Sequence, residues 1–273
     1  MDFIAIHAEQ TGAVLQITLN RPESRNAMSL QMVSELRQAL EHAQSSRGGP
    51  QAVRAIVLRG AAGHFCAGAD LKDMAGARMR AMQMQPGDTA DPIAAVNAEF
   101  GALCAAYASA PLAVVAVLEG TVMGGGFGLA CVADIAIATE TASFRLPETG
   151  LGVVPAQIAP FLVERLGYSQ AKRLAVTGGR LGAAEALRIG LVHMLVETSK
   201  LATELESVLA DILACAPNAL AATKALMARA RWQDPAELVQ DAAVIFSQAA
   251  QSAEGIEGMT AFMQKRKPQW ALP

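Results

Sequence analysis

The 273-residue sequence is poor in aromatic and charged residues and contains no long uninterrupted apolar run. Aromatic residues make up 4% of the chain and charged residues 17%, whereas 52% of it is hydrophobic. No apolar run approaches the roughly 18 residues that a membrane-spanning helix needs. The formal net charge of -3 and the absence of a basic stripe argue against a nucleic-acid-binding surface. These absences predict a globular protein with a large core and with neither a membrane nor a nucleic-acid partner.

Cysteine and histidine are equally sparse. The four cysteines form no C-x-x-C pair, and the four histidines show no H-x-x-x-H spacing. The N-terminal residues 1–4 lack the basic region of a signal peptide. We therefore expect reduced, mostly buried thiols in a cytoplasmic protein, and we predict neither a metal site nor any other cofactor.

The most informative stretch is residues 119–129, which read E-G-T-V-M-G-G-G-F-G-L. The apolar run 112–118 before it is typical of a buried strand, and Phe127 begins a helical pattern. Glycines at the start of a helix expose backbone N–H groups to a ligand, because no Cβ stands in the way. The stretch can bind a phosphate, a carboxylate or a developing oxyanion, or it can be a tight turn.

The remaining pattern predicts alternating strands and helices, followed by a helical tail. We expect an N-terminal hairpin over 3–8 and 13–19, with its turn at Gly12. Ser29 is placed to cap a helix that runs to about Ser45, and Asp70 to cap another. The remaining predicted strands cover 53–59, 112–118, 134–138 and 192–196, with residues 143–148 extended and 76–92 irregular. The remaining predicted helices cover 92–108, 157–166, 169–176, 183–189, 201–215, 217–231, 235–250 and 253–265. Strands that alternate with crossover helices favour a parallel sheet.

Residues 60–70 form a second loop of small residues, G-A-A-G-H-F-C-A-G-A-D, which follows the predicted strand 53–59. This loop, the triple glycine, the Pro147-Glu148 pair and the tail A-F-M-Q-K-R-K-P-Q-W together resemble the enoyl-CoA hydratase/isomerase (crotonase) family. The resemblance spans almost the whole chain. It implies an α/β fold in which a spiral of ββα turns (1–199) precedes a helical trimerisation region (200–273). It also implies an acyl-CoA substrate and a homotrimer or a dimer of trimers.

The resemblance also assigns the site. Two backbone N–H groups, those of Ala67 and Gly125, would bind the thioester oxygen, where an enolate carries its charge. The expected substrate and CoA contacts follow both loops: Arg25, Ala69, Asp70, Leu71, Lys72, Gly124 and Gly128. Arg25 is the expected phosphate contact, although Arg25 and Lys72 are equally typical of solvated surface charge.

The carboxylates depart from the family pattern. Typical hydratases of the family carry two catalytic glutamates, and the first of those positions is Gly128 in this chain, whereas the second is Glu148. One carboxylate can still serve as general base and then as general acid. We expect Leu146, Pro147, Leu151 and Val153 to enclose it and raise its pKa. Glu119 and Glu140 are interpreted as ordinary loop charges.

The segment Pro155-Ala156-Gln157-Ile158-Ala159-Pro160 replaces the glycine-rich run of common hydratases. With Gly128, it resembles the branch that hydrates 3-branched glutaconyl-CoA esters in acyclic-terpene or leucine catabolism. The absent side chain at 128 would leave room for a 3-substituent of either length. Isohexenylglutaconyl-CoA is favoured over 3-methylglutaconyl-CoA because the methionines between Met74 and Met84 would form an adaptable wall that suits a long isoprenoid chain. Arg145 and Arg78 are both candidates for binding the distal carboxylate.

Two alternative functions are considered: a second acyl-CoA enzyme and a protein without catalytic activity. A Δ3,Δ2-enoyl-CoA isomerase needs only one glutamate, because it moves a proton between C2 and C4 without water. A non-catalytic RNA-binding protein is the more distant alternative, and the acidic balance argues against it.

Overall fold

The structure is a computed structural model that describes residues 3–49, 51–85 and 91–271. Its larger sheet has the order β1-β2-β3-β4-β6-β9, and its smaller sheet has the order β5-β7-β8. The strands are β1 Ile6–Thr11, β2 Val14–Leu19, β3 Ala55–Gly60, β4 Ala113–Leu118, β5 Thr121–Met123, β6 Ile135–Thr139, β7 Ser143–Arg145, β8 Arg180–Gly182 and β9 Met194–Val196. Only β1–β2 and β7–β8 pair antiparallel, so most neighbours are joined by crossovers, as the sequence predicted.

Helices cover both faces of the larger sheet. They are α1 Leu30–Ser45, α2 Leu71–Met82, α3 Pro92–Ala108, α4 Gly125–Val132, α5 Ala159–Thr177, α6 Ala183–Arg188, α7 Leu201–Ala214, α8 Pro217–Ala230, α9 Pro235–Gln251 and α10 Ala253–Met263. Alternate residues of β4 point to opposite faces. Val114 belongs to the core cluster that α1 and α3 complete, whereas Val115 belongs to the cluster that contains Leu201 and Ile212 of α7. The α7 helix therefore shares a core with the sheet, and a division of the chain at residue 200 stays a prediction.

The hairpin turn and both helix caps are confirmed, whereas the first strand of the hairpin covers 6–11 instead of the predicted 3–8. Gly12 takes a φ of +57° in the turn between β1 and β2. The Ser29 side chain accepts a hydrogen bond from the N–H of Met32, and Asp70 accepts one from the N–H of Lys72. Three of the four cysteines are buried free thiols, and Cys215 is exposed.

The predicted irregular segment at 76–92 is wrong in its first part. Residues 71–82 form α2. Asp70 caps the start of this helix, and Ala77 on its inner face is fully buried. The prediction for residues 86–90 lies outside the described residues. The helices predicted at 157–166 and 169–176 are joined as α5, with a break at Gly167, whose φ is +69°.

Among the described residues, no single helix has both the length and the apolar composition to cross a membrane. Thr198–Ala214 and Pro217–Ala230, which are bent by 96° at their junction, meet those two criteria only as a pair.

Candidate active site

Backbone hydrogen bonds join the two glycine-bearing loops. The N–H of Cys66 donates to the carbonyl of Thr121 and the N–H of Met123 to that of Cys66, each at 2.9 Å. A Cβ built on Gly126 would lie 2.7 Å from Cys66 Cβ, so only glycine allows the loops to approach this closely. Burial raises the pKa of the Cys66 thiol to about 11, and the thiol is a neutral packing group at this crossing.

Of the two predicted oxyanion donors, the N–H of Ala67 is wrong. The N–H of Ala67 donates to the carbonyl of Arg25 at 3.0 Å, so it is already committed within the fold. The N–H groups of Ala69 and Gly125 have no acceptor among the described residues, and both residues line one cavity. Gly125 is the first residue of α4, where backbone N–H groups have no partner within the helix. The free pair of donors is therefore Ala69 and Gly125.

Glu148 begins a short 3-10 turn after β7 and lies against the triple glycine. A Cβ on Gly124 would lie 3.2 Å from Glu148 Oε1, and Gly124 has a φ of +47°, which L side chains rarely adopt. The absence of a side chain at Gly124 leaves space for the Glu148 carboxylate. Gly124 was predicted as a substrate contact, but it does not line the cavity. Within the described residues, Glu148 Oε2 is buried and has no hydrogen-bond partner. Burial raises the pKa of Glu148, in the predicted direction.

The cavity that contains Glu148 has a volume of about 590 Å³. Its walls come from α3, from the start of α1, from both loops and from the segment 152–158. The lining is mostly apolar: Met28, Leu30, Val33, Met74, Ile93, Ala94, Val96, Phe100, Val153, Val154, Pro155, Ala156 and Ile158.

Three aspartates at the cavity are committed to other groups. Although burial opposes its ionisation, the Lys72 N–H and the Arg21 guanidinium lower the pKa of Asp70, and Arg21 pairs with it at 2.7 Å. Asp73 accepts the N–H of Leu30 at 2.7 Å. Asp91 caps α3 through the first N–H groups of the helix. Among the described carboxylates of the lining, Glu148 is the one with an unpaired buried oxygen.

The space beside Gly128 is filled, which corrects the expectation of room for a branch there. A Cβ on Gly128 would lie 3.1 Å from Phe100 Cζ and 3.2 Å from Ile158 Cγ1. Apolar side chains thus occupy the region where a second glutamate begins in typical hydratases. The sequence could not reveal this, because α3 and the segment 152–158 meet α4 only in the folded chain.

The other predicted contacts lie outside the cavity lining. Arg25, Leu71 and Lys72 are exposed on the surface. Neither Arg145 nor Arg78 lines the cavity. Glu119 pairs with Arg59, and Glu140 accepts hydrogen bonds from Thr198, so both are loop charges as predicted. Asn97, Phe100 and Gln157 line the cavity and were not predicted as site residues.

A cavity of about 670 Å³ between α5 and α8 is a poorer candidate. The Arg165 guanidinium donates to the carbonyls of Cys131 and Ala133, and Lys224 pairs with Asp134 at 2.6 Å. These charged groups are engaged in contacts that join elements of the fold.

A family model described as enoyl-CoA hydratase/isomerase matches residues 9–272. The chain belongs to this family. The "probable enoyl-CoA hydratase echA8" of Mycobacterium bovis is 32% identical over 271 residues, which cover 99% of each chain. The mouse "enoyl-CoA hydratase domain-containing protein 2, mitochondrial" is 33% identical over 94% of this chain and 84% of its own length.

Solved structures confirm the predicted crotonase-like α/β fold. AtuE of Pseudomonas aeruginosa superposes with a TM-score of 0.92 at 51% identity, over 98% of this chain and all of that one. An enoyl-CoA hydratase/isomerase of Marinobacter aquaeolei gives a TM-score of 0.92 at 49% identity, over 98% and 99% of the two chains.

Proposed function

We propose that this protein hydrates a 3-branched glutaconyl-CoA thioester, with isohexenylglutaconyl-CoA favoured over 3-methylglutaconyl-CoA. The observation that carries the proposal is the buried, unpaired Oε2 of Glu148 in a mostly apolar cavity that is also lined by Ala69 and Gly125, whose N–H groups are free among the described residues. Family membership supports the acyl-CoA class, and the acyl group is our inference.

The proposed reaction uses these groups in two steps. Glu148 takes a proton from water as the water oxygen bonds to C3, and the π electrons move through C2 to the thioester oxygen. The N–H groups of Ala69 and Gly125 stabilise the negative charge on the oxygen of the resulting enolate. The protonated Glu148 then returns a proton to C2 as the enolate collapses. The raised pKa of Glu148 suits this double role, because a less acidic carboxyl is a stronger base when it takes the proton from water.

Branch recognition is assigned to the apolar wall between α3 and the segment 152–158, since the space beside Gly128 is filled. Ile93, Val153 and Val154 contribute to that wall, and Met74 contributes from α2. A long isoprenoid branch would bury its surface against these side chains. The CoA moiety of the bound substrate would extend out of the cavity past Ala69 and Asp70. It would then lie beside the exposed residues Arg25, Leu71 and Lys72.

The test compares isohexenylglutaconyl-CoA, 3-methylglutaconyl-CoA and crotonyl-CoA by the loss of enoyl-thioester absorbance. We expect the highest kcat/KM with the isohexenyl ester. Crotonyl-CoA turning over as fast as both branched esters would refute the branched substrate class.

The second candidate is the Δ3,Δ2-enoyl-CoA isomerase. It is favoured by the apolar packing of Phe100 and Ile158 beside Gly128, because one carboxylate is enough for a proton shift between C2 and C4. A 3-enoyl-CoA converted to its 2-enoyl isomer without uptake of ¹⁸O from labelled water, together with no hydration of the three esters, would select this activity.

A further inference from the structure

The acyl cavity contains no cation for a dicarboxylic substrate. Among the described residues, no lysine or arginine lines it, and residues 86–90 contain neither type. A glutaconyl ester nevertheless carries a second carboxylate, which must receive hydrogen bonds when it leaves water. Neutral donors in the lining are therefore the groups to examine.

Two side-chain amides face each other at the α3 side of the cavity. Gln157 Nε2 donates to Asn97 Oδ1 at 2.9 Å, and both residues are part-buried. Ser29, another uncharged polar side chain of the lining, accepts the N–H of Met32 at the start of α1.

A glycine inside α3 gives Gln157 its position. A Cβ on Gly101 would lie 2.1 Å from Gln157 Oε1 and 2.6 Å from its Cδ, so no other residue at 101 is compatible with this side-chain placement. Glycine in a helix interior is less favourable than alanine. The helix thus carries a locally unfavourable residue where the carboxamide of Gln157 packs against it.

The amide pair retains free donors. Asn97 Oδ1 accepts the hydrogen bond from Gln157, and Gln157 Oε1 lies beside Gly101. Both N–H bonds of Asn97 Nδ2 and the second N–H bond of Gln157 Nε2 have no acceptor among the described residues. We propose that the Asn97–Gln157 amide pair binds the distal carboxylate of the substrate and selects dicarboxylic enoyl esters. This inference rests on the proposed function.

The test uses two substrates that differ by one group. 3-Methylglutaconyl-CoA and 3-methylcrotonyl-CoA share the branch and the conjugated thioester, and only the first has a distal carboxylate. The measured quantity is the ratio of their kcat/KM values, with the carboxylated ester in the numerator. In Asn97→Leu and Gln157→Leu, this ratio should fall by about 10- to 100-fold, because a hydrogen bond to a charged group is lost. In Gln157→Glu, the ratio should fall further, because a second negative charge would face the carboxylate.

Gln38→Leu is the matched control. It removes an exposed amide from α1, outside the cavity lining, and should leave the ratio unchanged. Each variant is compared with the parent by thermal unfolding at equal protomer concentration. An unchanged ratio in the Asn97 and Gln157 variants, or an equal loss on both esters, would overturn the assignment. A parent protein that does not prefer the carboxylated ester would instead refute the proposed substrate class.

Discussion

At the scale of single residues, Glu148 connects stability with chemistry. Its Oε2 is buried without a partner, and its Oε1 lies close to the backbone of Gly124. Leaving a buried polar group unpaired costs about 1–3 kcal/mol. The pairing that would stabilise this carboxylate would also hold its pKa low and weaken it as a base.

The first prediction concerns catalysis. Glu148→Gln removes the proton carrier but keeps the size of the side chain, so kcat should fall by about 10²- to 10⁴-fold. Binding of a saturated acyl-CoA, followed by calorimetry, should change little. Glu140→Gln is the matched control, because Glu140 bonds only to Thr198 outside the cavity, and its turnover should stay near normal. A Glu148→Gln enzyme of near-normal rate would remove Glu148 from the mechanism.

The second prediction concerns pH. Burial raises the folded-state pKa of Glu148 above its ordinary 4.5, so the folded protein favours the protonated form. The stability that this preference contributes is present at low pH and is lost as the pH rises through the raised pKa. Above that pKa, Glu148→Gln should raise the free energy of unfolding by about 1 kcal/mol, because glutamine carries no charge to desolvate.

The measurement is denaturant unfolding of both proteins at pH 8 and pH 4.5, at equal protomer concentration. The gain should shrink at the lower pH, where the parent carboxyl is protonated. A gain that is larger at pH 4.5 would contradict the raised pKa. The activity of the parent should be lost on the acid side at a pH above 4.5, since the base form is required.

The direction of the Glu148 pKa shift and its cause, burial, could be predicted from the sequence, but two of the residues expected to provide that burial were wrong. Leu151 and Val153 were expected to enclose the carboxylate, yet they are 69% and 54% exposed. Gly124, on the triple-glycine loop, lies beside the carboxylate, and a Cβ added to it would be 3.2 Å from Glu148 Oε1. Ala69 was missed as an oxyanion donor because only the folded chain shows that the N–H of Ala67 donates to Arg25.

At the scale of elements, the packing of α3 on α4 limits the size of the side chain at position 128. Phe100 fills the space in front of Gly128, so a larger side chain there must displace the ring. Local cues predicted the caps at Ser29 and Asp70 and the turn at Gly12, because those depend on neighbours in sequence. The contact between Phe100 and Gly128 depends on tertiary packing, which no local pattern reports.

The third prediction tests this packing. Gly128→Glu restores the family glutamate but should destabilise the protein by about 1–3 kcal/mol through overpacking. It should not by itself confer rapid crotonyl-CoA hydration, because the new carboxylate has no space beside Phe100. The double variant Gly128→Glu with Phe100→Ala opens that space and should hydrate crotonyl-CoA faster than either single variant. A stable Gly128→Glu protein with fast crotonyl-CoA turnover would show that Phe100 is no obstacle.

At the scale of the whole molecule, the C-terminal helices present an uncovered apolar surface. Large side chains on α9 and α10 are strongly exposed, among them Phe246 at 74% and Phe262 at 86%. A monomer rarely keeps such a surface in water. We propose that this surface closes a homotrimer or a dimer of trimers, as expected from the sequence.

The fourth prediction addresses that assembly. Truncation at residue 200 would remove α7 from the core, so a point substitution is the cleaner test. Phe262→Asp should weaken the assembly and give smaller particles in light scattering, because a charge would enter an apolar contact. Gln38→Asp on the exposed face of α1 is the control and should leave the particle mass unchanged. An unchanged mass for Phe262→Asp would place the subunit contact elsewhere.

The glycine inside α3 has a consequence for how this enzyme could change over generations. Alanine at 101 would be the better helix former, yet its Cβ would collide with the Gln157 carboxamide, so the substitution requires that side chain to move or residue 157 to become smaller. The effect of a substitution at 101 should therefore depend on the residue at 157. Under the proposed role of Gln157, selection for a non-carboxylated substrate would free position 101, and mutational libraries should recover changes there more often together with changes at 157.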